Sequence, residues 1–239
     1  MRRIVIVLAF IIISYAAYCS KGDNGATGGD FLNFGSSARS LGLANAFTAL
    51  SDDASATYFN PAGLMQLSYN EITALHVFLF EDTYYDFLSF VYPTKKIGSF
   101  GLSIVSLYSA NYESRDISNN AYGSFAESKI AVILSYGKDV TRELFWGINI
   151  KLINEIISSY RDMSFGMDMG VLYTPFEVLS VGASVKYILQ PNIKLIDSYE
   201  KYALDIRAGI AVKLLSENLI ITTDAVKTGN TEIKLCSGI

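Results

Sequence analysis

Alternation of apolar with small or polar residues, repeated segment after segment, constrains this chain more than any other feature. In Tyr202 to Leu214, one face is Tyr202, Leu204, Ile206, Ala208, Ile210, Val212 and Leu214; the other is Ala203, Asp205, Arg207, Gly209, Ala211 and Lys213. Leu179 to Gln190 repeats the pattern, with Leu179, Val181, Ala183, Val185, Tyr187 and Leu189 opposite Ser180, Gly182, Ser184, Lys186 and Gln190. From Phe165 to Tyr173 the odd positions are apolar, while Gly166, Asp168 and Gly170 take even ones. A period of two puts successive side chains on opposite faces of a β-strand. The alternation predicts about ten strands, near 70–80, 84–93, 97–108, 125–137, 143–153, 164–174, 178–190, 202–214, 218–226 and 231–239. Most are about as long as a tilted strand needs to cross a bilayer, ~9–11 residues.

Composition excludes several other classes. Charged residues are 18 % and aromatics 13 %, with 16 Tyr and 14 Phe against 4 Pro, and mean hydropathy is +0.30. Disorder, a collagen-like rod and a polytopic helical membrane protein are inconsistent with this profile.

The greasy face has two possible neighbours. In a soluble β-sandwich it packs on a second sheet; in a membrane barrel it meets lipid, and the small or polar face lines the lumen. Glycine and alanine are as frequent as charge on the polar face, which suits a crowded interior. Aromatics lie toward strand ends (Tyr84, Tyr85, Tyr108, Trp146, Tyr173, Tyr187, Tyr202), as interfacial girdles do. Links at Pro93 to Lys96, Gly137 to Arg142, Thr174 to Glu177 and Leu215 to Glu217 are short. Ser109 to Ser124, Asn154 to Met163 and Gln190 to Lys201 are long. Apart from the tight Glu81-Asp82-Thr83 and Lys227 to Asn230 links, long and short alternate, the asymmetry of outer-membrane barrels. The barrel is the favoured reading.

Arg2 and Arg3 precede an unbroken apolar run, Ile4 to Ile13, and small or polar residues from Ser14 to Ser20. This is the pattern of a secretory signal peptide, residues 1–19, cleaved after Ala16 or Cys19. Lipidation at Cys19 is the less favoured alternative, because Tyr18 is bulky where a small residue is wanted. Without Arg2 and Arg3 the chain keeps 17 of its 19 basic side chains against 23 acidic ones, a net charge of about −6. No basic stripe suits nucleic acid. Cleavage after Cys19 leaves Cys236 alone, so no internal disulfide is expected.

Residues 20–68 read as a separate N-terminal segment, ahead of strands in 69–239. Leu41, Ala44, Phe47 and Leu50 recur every three residues and predict a short helix within Gly35 to Leu50, capped by Ser36 or Ser37. Ser51-Asp52-Asp53 predicts the cap of a second helix, ended near Asn60 by Pro61. Gly63 then permits a tight turn.

The run from Gly35 to Leu64 has a Gly/Ala-Arg-small-Leu-Gly opening (Arg39, Gly42), a small-residue stretch with Phe47, Asp52-Asp53-Ala-Ser-Ala, and Asn60-Pro61-Ala62-Gly63-Leu64. It resembles the N-terminal region of FadL-like outer-membrane proteins, closest to their PorV/PorQ-like branch. The resemblance covers the plug region closely and the strands in general character. It implies an all-β, antiparallel up-and-down transmembrane barrel of fourteen strands, stoppered by an N-terminal helical plug. It further implies a hydrophobic ligand that passes when the hatch moves, often sideways through a kinked strand. Carried over, Asn60, Pro61, Ala62 and Gly63 form the hatch turn, Asp52 and Asp53 are polar plug residues, and Arg39 meets a lumen carboxylate. With about ten strands in view, and Thr231 to Ile239 stopping without a terminal aromatic strand, the expectation is a truncated member that assembles poorly.

The sequence gives little sign of catalysis. His76 is the single histidine, so a catalytic triad or multi-histidine metal site is not expected, and it reads as a strand or rim residue. Asp52-Asp53 reads as a cap rather than a metal or acid/base pair. No phosphate loop or nucleophile elbow appears, and no cofactor or metal is expected. Asp168, Lys186, Asp205, Arg207 and Lys213 share one face of neighbouring strands, as lumen ion pairs or a polar lining. The leading function is passive outer-membrane transport of long-chain fatty acids or other hydrophobic compounds. The alternative is a PorV-like secretion-associated or structural barrel that binds a protein partner, and an exported soluble β-sandwich binding module comes third.

Overall fold

The computed structural model describes residues 29–239 except 95, 195–198 and 216–217; the signal segment, its cleavage site and Cys19 lie outside the described residues. The strands are β1 (Glu71–Phe78), β2 (Thr83–Thr94), β3 (Gly98–Arg115), β4 (Ala121–Asp139), β5 (Leu144–Ile157), β6 (Tyr160–Phe176), β7 (Leu179–Leu189), β8 (Asn192–Lys194), β9 (Tyr199–Lys201), β10 (Asp205–Leu214), β11 (Leu219–Thr228) and β12 (Lys234–Gly238). Ten of them pair antiparallel in the order β1 to β7, β10, β11, β12, while β8 and β9 form a small hairpin in the β7–β10 connection. The large sheet is open, with β1 and β12 at its edges. The chain is thus an all-β, up-and-down antiparallel structure. Among the described residues no second sheet of comparable size packs on it.

The two faces of the sheet differ in chemistry. Phe90, Leu102, Leu134 and Ile150 stand in register across β2 to β5 and are 42, 45, 57 and 54 % exposed. A groove of about 400 Å³ runs over these residues, with Tyr92, Phe100, Tyr136 and Ile148 in the next row. Inward residues of the same strands, Tyr85, Phe87, Ser89, Ser103, Ala131, Asn149 and Lys151, are buried. They pack against residues 30–67, which fold on this face as 3₁₀ helix Asp30–Asn33, α1 (Ala38–Gly42), α2 (Ala56–Phe59) and 3₁₀ helix Pro61–Gln66. Phe31, Leu32, Phe47, Leu50, Tyr58 and Phe59 meet Tyr85, Phe87, Val105, Ile133 and Ile153 in one core. The apolar core thus lies between residues 30–67, the expected plug, and the inner face, and among the described residues no protein covers the outward apolar rows.

Several strand-level expectations are corrected. Ser109 to Ser124 and Asn154 to Met163 are not long loops: β3 runs to Arg115 and β4 starts at Ala121, while β5 and β6 are joined only by residues 158–159. Pairing such as Glu113 with Ser124 satisfies backbone groups that a loop would leave to water. The β3–β4 hairpin ends in a turn whose Asp116 carboxylate accepts the N–H groups of Ser118 and Asn120 at 2.8 Å each. The segment from Tyr202 is not all strand, since β10 begins at Asp205. Tyr85, Tyr187 and Tyr202 are no girdle residues but buried inward. Nor is the inner face uniformly small or polar, because Tyr85, Phe87 and Val91 line it on β2. His76 lies on the exposed outward side of β1, its Nδ1 2.5 Å from Asp86 Oδ1.

Candidate functional site

The candidate site is the contact between residues 30–67 and the inner face. Helix α1 starts where expected, with a reciprocal capping box between Ser37 and Ser40. It ends at Gly42 rather than running toward Leu50, because Ala44 and Asn45 take left-handed φ of 52° and 60° and reverse the chain. Asp52 and Asp53 cap no helix. Ser55 precedes α2, and Asp53 Oδ1 instead accepts the Ser55 N–H at 2.9 Å. Asn60 ends α2 and begins the Pro61–Gln66 helix, its Oδ1 accepting the Ala62 N–H at 3.2 Å. Gly63 makes no positive-φ turn. It lies inside that 3₁₀ helix, where a Cβ would collide with Ser51.

Backbone-level contacts join plug and wall. Asn60 Nδ2 donates to Thr48 O at 2.9 Å and to Val171 O of β6 at 3.1 Å. Asn149 of β5 donates to Thr57 O at 2.9 Å, and Thr48 N–H to Asp224 of β11 at 2.9 Å. Ser89 of β2 donates to Ala54 O at 2.8 Å, and its Oγ lies 3.1 Å from Thr57 Oγ1. Inward glycines allow the approach: a Cβ at Gly147 would meet Pro61 and Ala62 backbone, and one at Gly182 would meet Thr48 and Ala49. Tyr58 accepts the Gly35 N–H at 3.0 Å and donates to Leu32 O at 2.6 Å. Burial pushes its hydroxyl up to about 12, which keeps the donor protonated.

An ionic latch lies at the edge of this contact. Arg39 reaches Asp52 at 2.5 Å and Asp53 at 3.1 Å within the plug, and Lys213 of β10 reaches Asp52 at 3.0 Å. Arg39 therefore meets plug carboxylates rather than one on the wall. Burial alone would raise the Asp52 carboxyl, but hydrogen bonding and charge from Arg39, with Lys213, outweigh it and hold the group below its ordinary range. Burial likewise opposes the Arg39 charge, and the two carboxylates overcome it. A carboxylate depressed by folding adds stability above its ordinary value of about 4 and loses it as pH falls through the lowered folded value. Protease resistance of the plug is therefore expected to hold down to pH about 4 and to erode below it. Asp52→Asn is expected to shrink that acid-dependent loss, as limited proteinase K digestion across pH would show.

The remaining charges sit deeper. Lys151 of β5 pairs with Asp168 of β6 at 2.7 Å, and Asp205 pairs with Arg207 on β10 at 2.8 Å; all are buried. Asp168 also accepts from Asn149 at 3.1 Å and from the Tyr187 N–H at 3.0 Å. Lys186 is buried too, yet makes no ion pair among the described residues; its ammonium lies 4.3 Å from the Tyr58 ring centre and 5.5 Å from that of Phe59. Buried atoms without hydrogen-bond partners include Tyr187 OH, Ser184 Oγ and Asn149 Oδ1. The arrangement is a polar layer between an aromatic layer and a tight glycine-lined one. It offers hydrogen bonds and charge, and among the described residues no cluster of three or more His, Cys, Asp or Glu that would hold a metal.

The comparisons with known proteins bear on this architecture. The sequence profile of an uncharacterised protein family, UPF0164, matches residues 26–163, more than half of the chain. The chain belongs to UPF0164. Its match takes in residues 30–67 and β1 through β5, and with them the Arg39 contacts to Asp52 and Asp53 and the Asn149 bond to Thr57. Among curated proteins none matches this UPF0164 chain. Among solved structures it is similar to the crystal structure of a Pseudomonas aeruginosa FadL homologue, at 11 % identity and a TM-score of 0.57, over 81 % of this chain and 68 % of that one. That likeness is one of fold.

Asp168, Lys186, Asp205 and Arg207 are brought together on the plug-facing side, and Lys213 joins Asp52. The sequence reading missed Tyr187, Tyr202, Asn149 and Asp224 as plug-facing residues. Tyr187 has φ 59° and sits in a register shift between β6 and β7, so Lys186 and Tyr187 are buried in succession. Tyr202 precedes β10, and its hydroxyl donates to Glu155. Nothing in the regular alternation marks that bulge, whereas the inward parity of Asn149 and Asp224 was open to reading.

Proposed function

We propose that the sheet is wall from an outer-membrane β-barrel and that residues 30–67 are its movable stopper. On this reading the protein passes hydrophobic molecules, long-chain fatty acids among them, across the outer membrane. The observation that carries it is the inversion of the sheet: exposed apolar rows such as Phe90, Leu102, Leu134 and Ile150 outside, buried charge and a folded segment inside. A wall facing lipid needs that arrangement. The fold similarity to a FadL homologue supports it. Beyond the shared apolar core, the stopper's polar ties to the wall are single hydrogen bonds and the Lys213–Asp52 pair, each weak enough to exchange. Lys186, buried against the Tyr58 and Phe59 rings, would present its amine to the polar end of a passing amphiphile once the stopper moves.

The test locks the stopper. Thr57 and Ser89 hydroxyls are 3.1 Å apart, so Thr57→Cys with Ser89→Cys, in a Cys236→Ser background, joins α2 to β2. Oxidation is expected to lower uptake of labelled oleate into proteoliposomes about tenfold, and reduction to restore it, as for a gating step. Equal uptake in both states, or with residues 35–64 deleted, would remove the transport reading.

One observation favours a second reading, a PorV-like barrel that binds a protein partner. The β3–β4 hairpin ends in a fully exposed Ile117, with Tyr122 75 % exposed beside it. Loop tips carry binding residues disproportionately, and Ile117 and Tyr122 give this one apolar surface. Oleate uptake unaffected by the lock, together with partner capture lost on Ile117→Ser, would favour it.

A further inference from the structure

At the end of the sheet where the β3–β4 hairpin lies, a cavity of about 560 Å³ opens beside Lys201, Ala203, Leu204, Ile206, Lys227 and Asn230. Its walls are tied down. The Gly229 N–H donates to Leu204 O at 2.7 Å, and the Tyr202 N–H to Pro191 O at 3.0 Å. The buried Tyr202 ring, bonded to Glu155, pins the segment from below. Among the described residues no carboxylate lines the cavity. Lys201 and Lys227 are both exposed, and neither side chain makes an ion pair or hydrogen bond among the described residues.

The floor continues along the outward side of the wall. Lys227 stands directly across from Ile206, which in turn faces Val185. One row further along the strands, Ala183, Ala208 and Ala225 are in register, followed by Val181 and Ile210. Two ammonium groups without an ion pair among the described residues therefore sit at the head of a shallow apolar path. Surface lysines gain little from a free ion in water. At a membrane boundary they gain more from an anionic lipid, whose chains bury apolar surface at the same time.

We infer that this cavity is a site for the phosphate head group of an anionic membrane lipid, with its acyl chains lying over Ile206 and the Ala183–Ala208–Ala225 row. The inference rests on the reading of the outward face as lipid-facing.

The test uses the full chain reconstituted in phosphatidylcholine vesicles, with spin-labelled phosphatidylglycerol or phosphatidylcholine as probe and inorganic phosphate as competitor. Phosphatidylglycerol is expected to be retained preferentially, and Lys201→Gln and Lys227→Gln each to weaken that preference about fivefold. Inorganic phosphate is expected not to displace the probe. Equal retention of the two lipids, an unchanged preference in the double variant, or displacement by phosphate (a free-anion site) would overturn the inference. Flotation of the chain with vesicles after carbonate washing separates the two levels. A chain that fails to float removes the lipid-facing wall itself; a chain that floats without head-group preference removes only this site.

Discussion

Gly147→Val is expected to dislodge the stopper while the sheet still forms. The added carbons would fall on the Pro61 and Ala62 backbone, which is held at one side by Asn60 and lacks a rotatable group that can swing away. Overpacking against backbone costs about 3 kcal/mol, so residues 30–67 should become digestible by proteinase K in detergent. Far-ultraviolet circular dichroism of the strands should stay close to wild type. Gly123→Val is the control: nothing lies within 4 Å of its added Cβ, and a change within about 0.5 kcal/mol is expected for an exposed site. Equal protease resistance of Gly147→Val and wild type would show that the stopper does not bear on the wall there.

Asp168→Ala is expected to cost the fold about 3–5 kcal/mol, the penalty for leaving a buried partner charged and alone. Lys151, 2 % exposed, would lose its carboxylate at 2.7 Å. Asn149 and the Tyr187 N–H would lose an acceptor in the same step. Replacing both charges, Lys151→Met with Asp168→Leu, is expected to recover most of that loss, since two apolar groups of similar volume need no mutual compensation. Thermal unfolding of the wild type and the two variants in detergent gives the comparison. A double variant no more stable than Asp168→Ala would mean that the Asn149 and Tyr187 bonds, not the ion pair, dominate at this position.

Much of the architecture can be read from side-chain parity. Ile206, Ala208 and Ile210 alternate with Asp205, Arg207 and Gly209 because the two faces of β10 meet different surroundings, and parity assigns each residue to one of them. The same logic places Asp168 and Lys186 on the plug-facing side. Parity fails where the backbone slips. The positive φ at Tyr187 turns a residue that continues an apolar series toward the inside, and tyrosine, with a greasy ring and a polar tip, fits either surrounding. It fails again at Glu113 and Ser124, where polar residues pair in a hairpin as readily as they form a loop. In the plug, the three-residue recurrence of Leu41, Ala44, Phe47 and Leu50 mimics a helix. Those side chains are gathered instead by a reversal at Ala44 and Asn45, a tertiary outcome that local spacing does not encode.

The glycine-lined half of the inner face also fixes an order of assembly. Strand and stopper approach there at backbone distance, as at Gly147 and Gly182. The N-terminal segment is therefore expected to serve as a former on which successive hairpins bend. Chains whose first seventy residues arrive late, or are supplied separately, should yield a flatter sheet that sheds protein on washing.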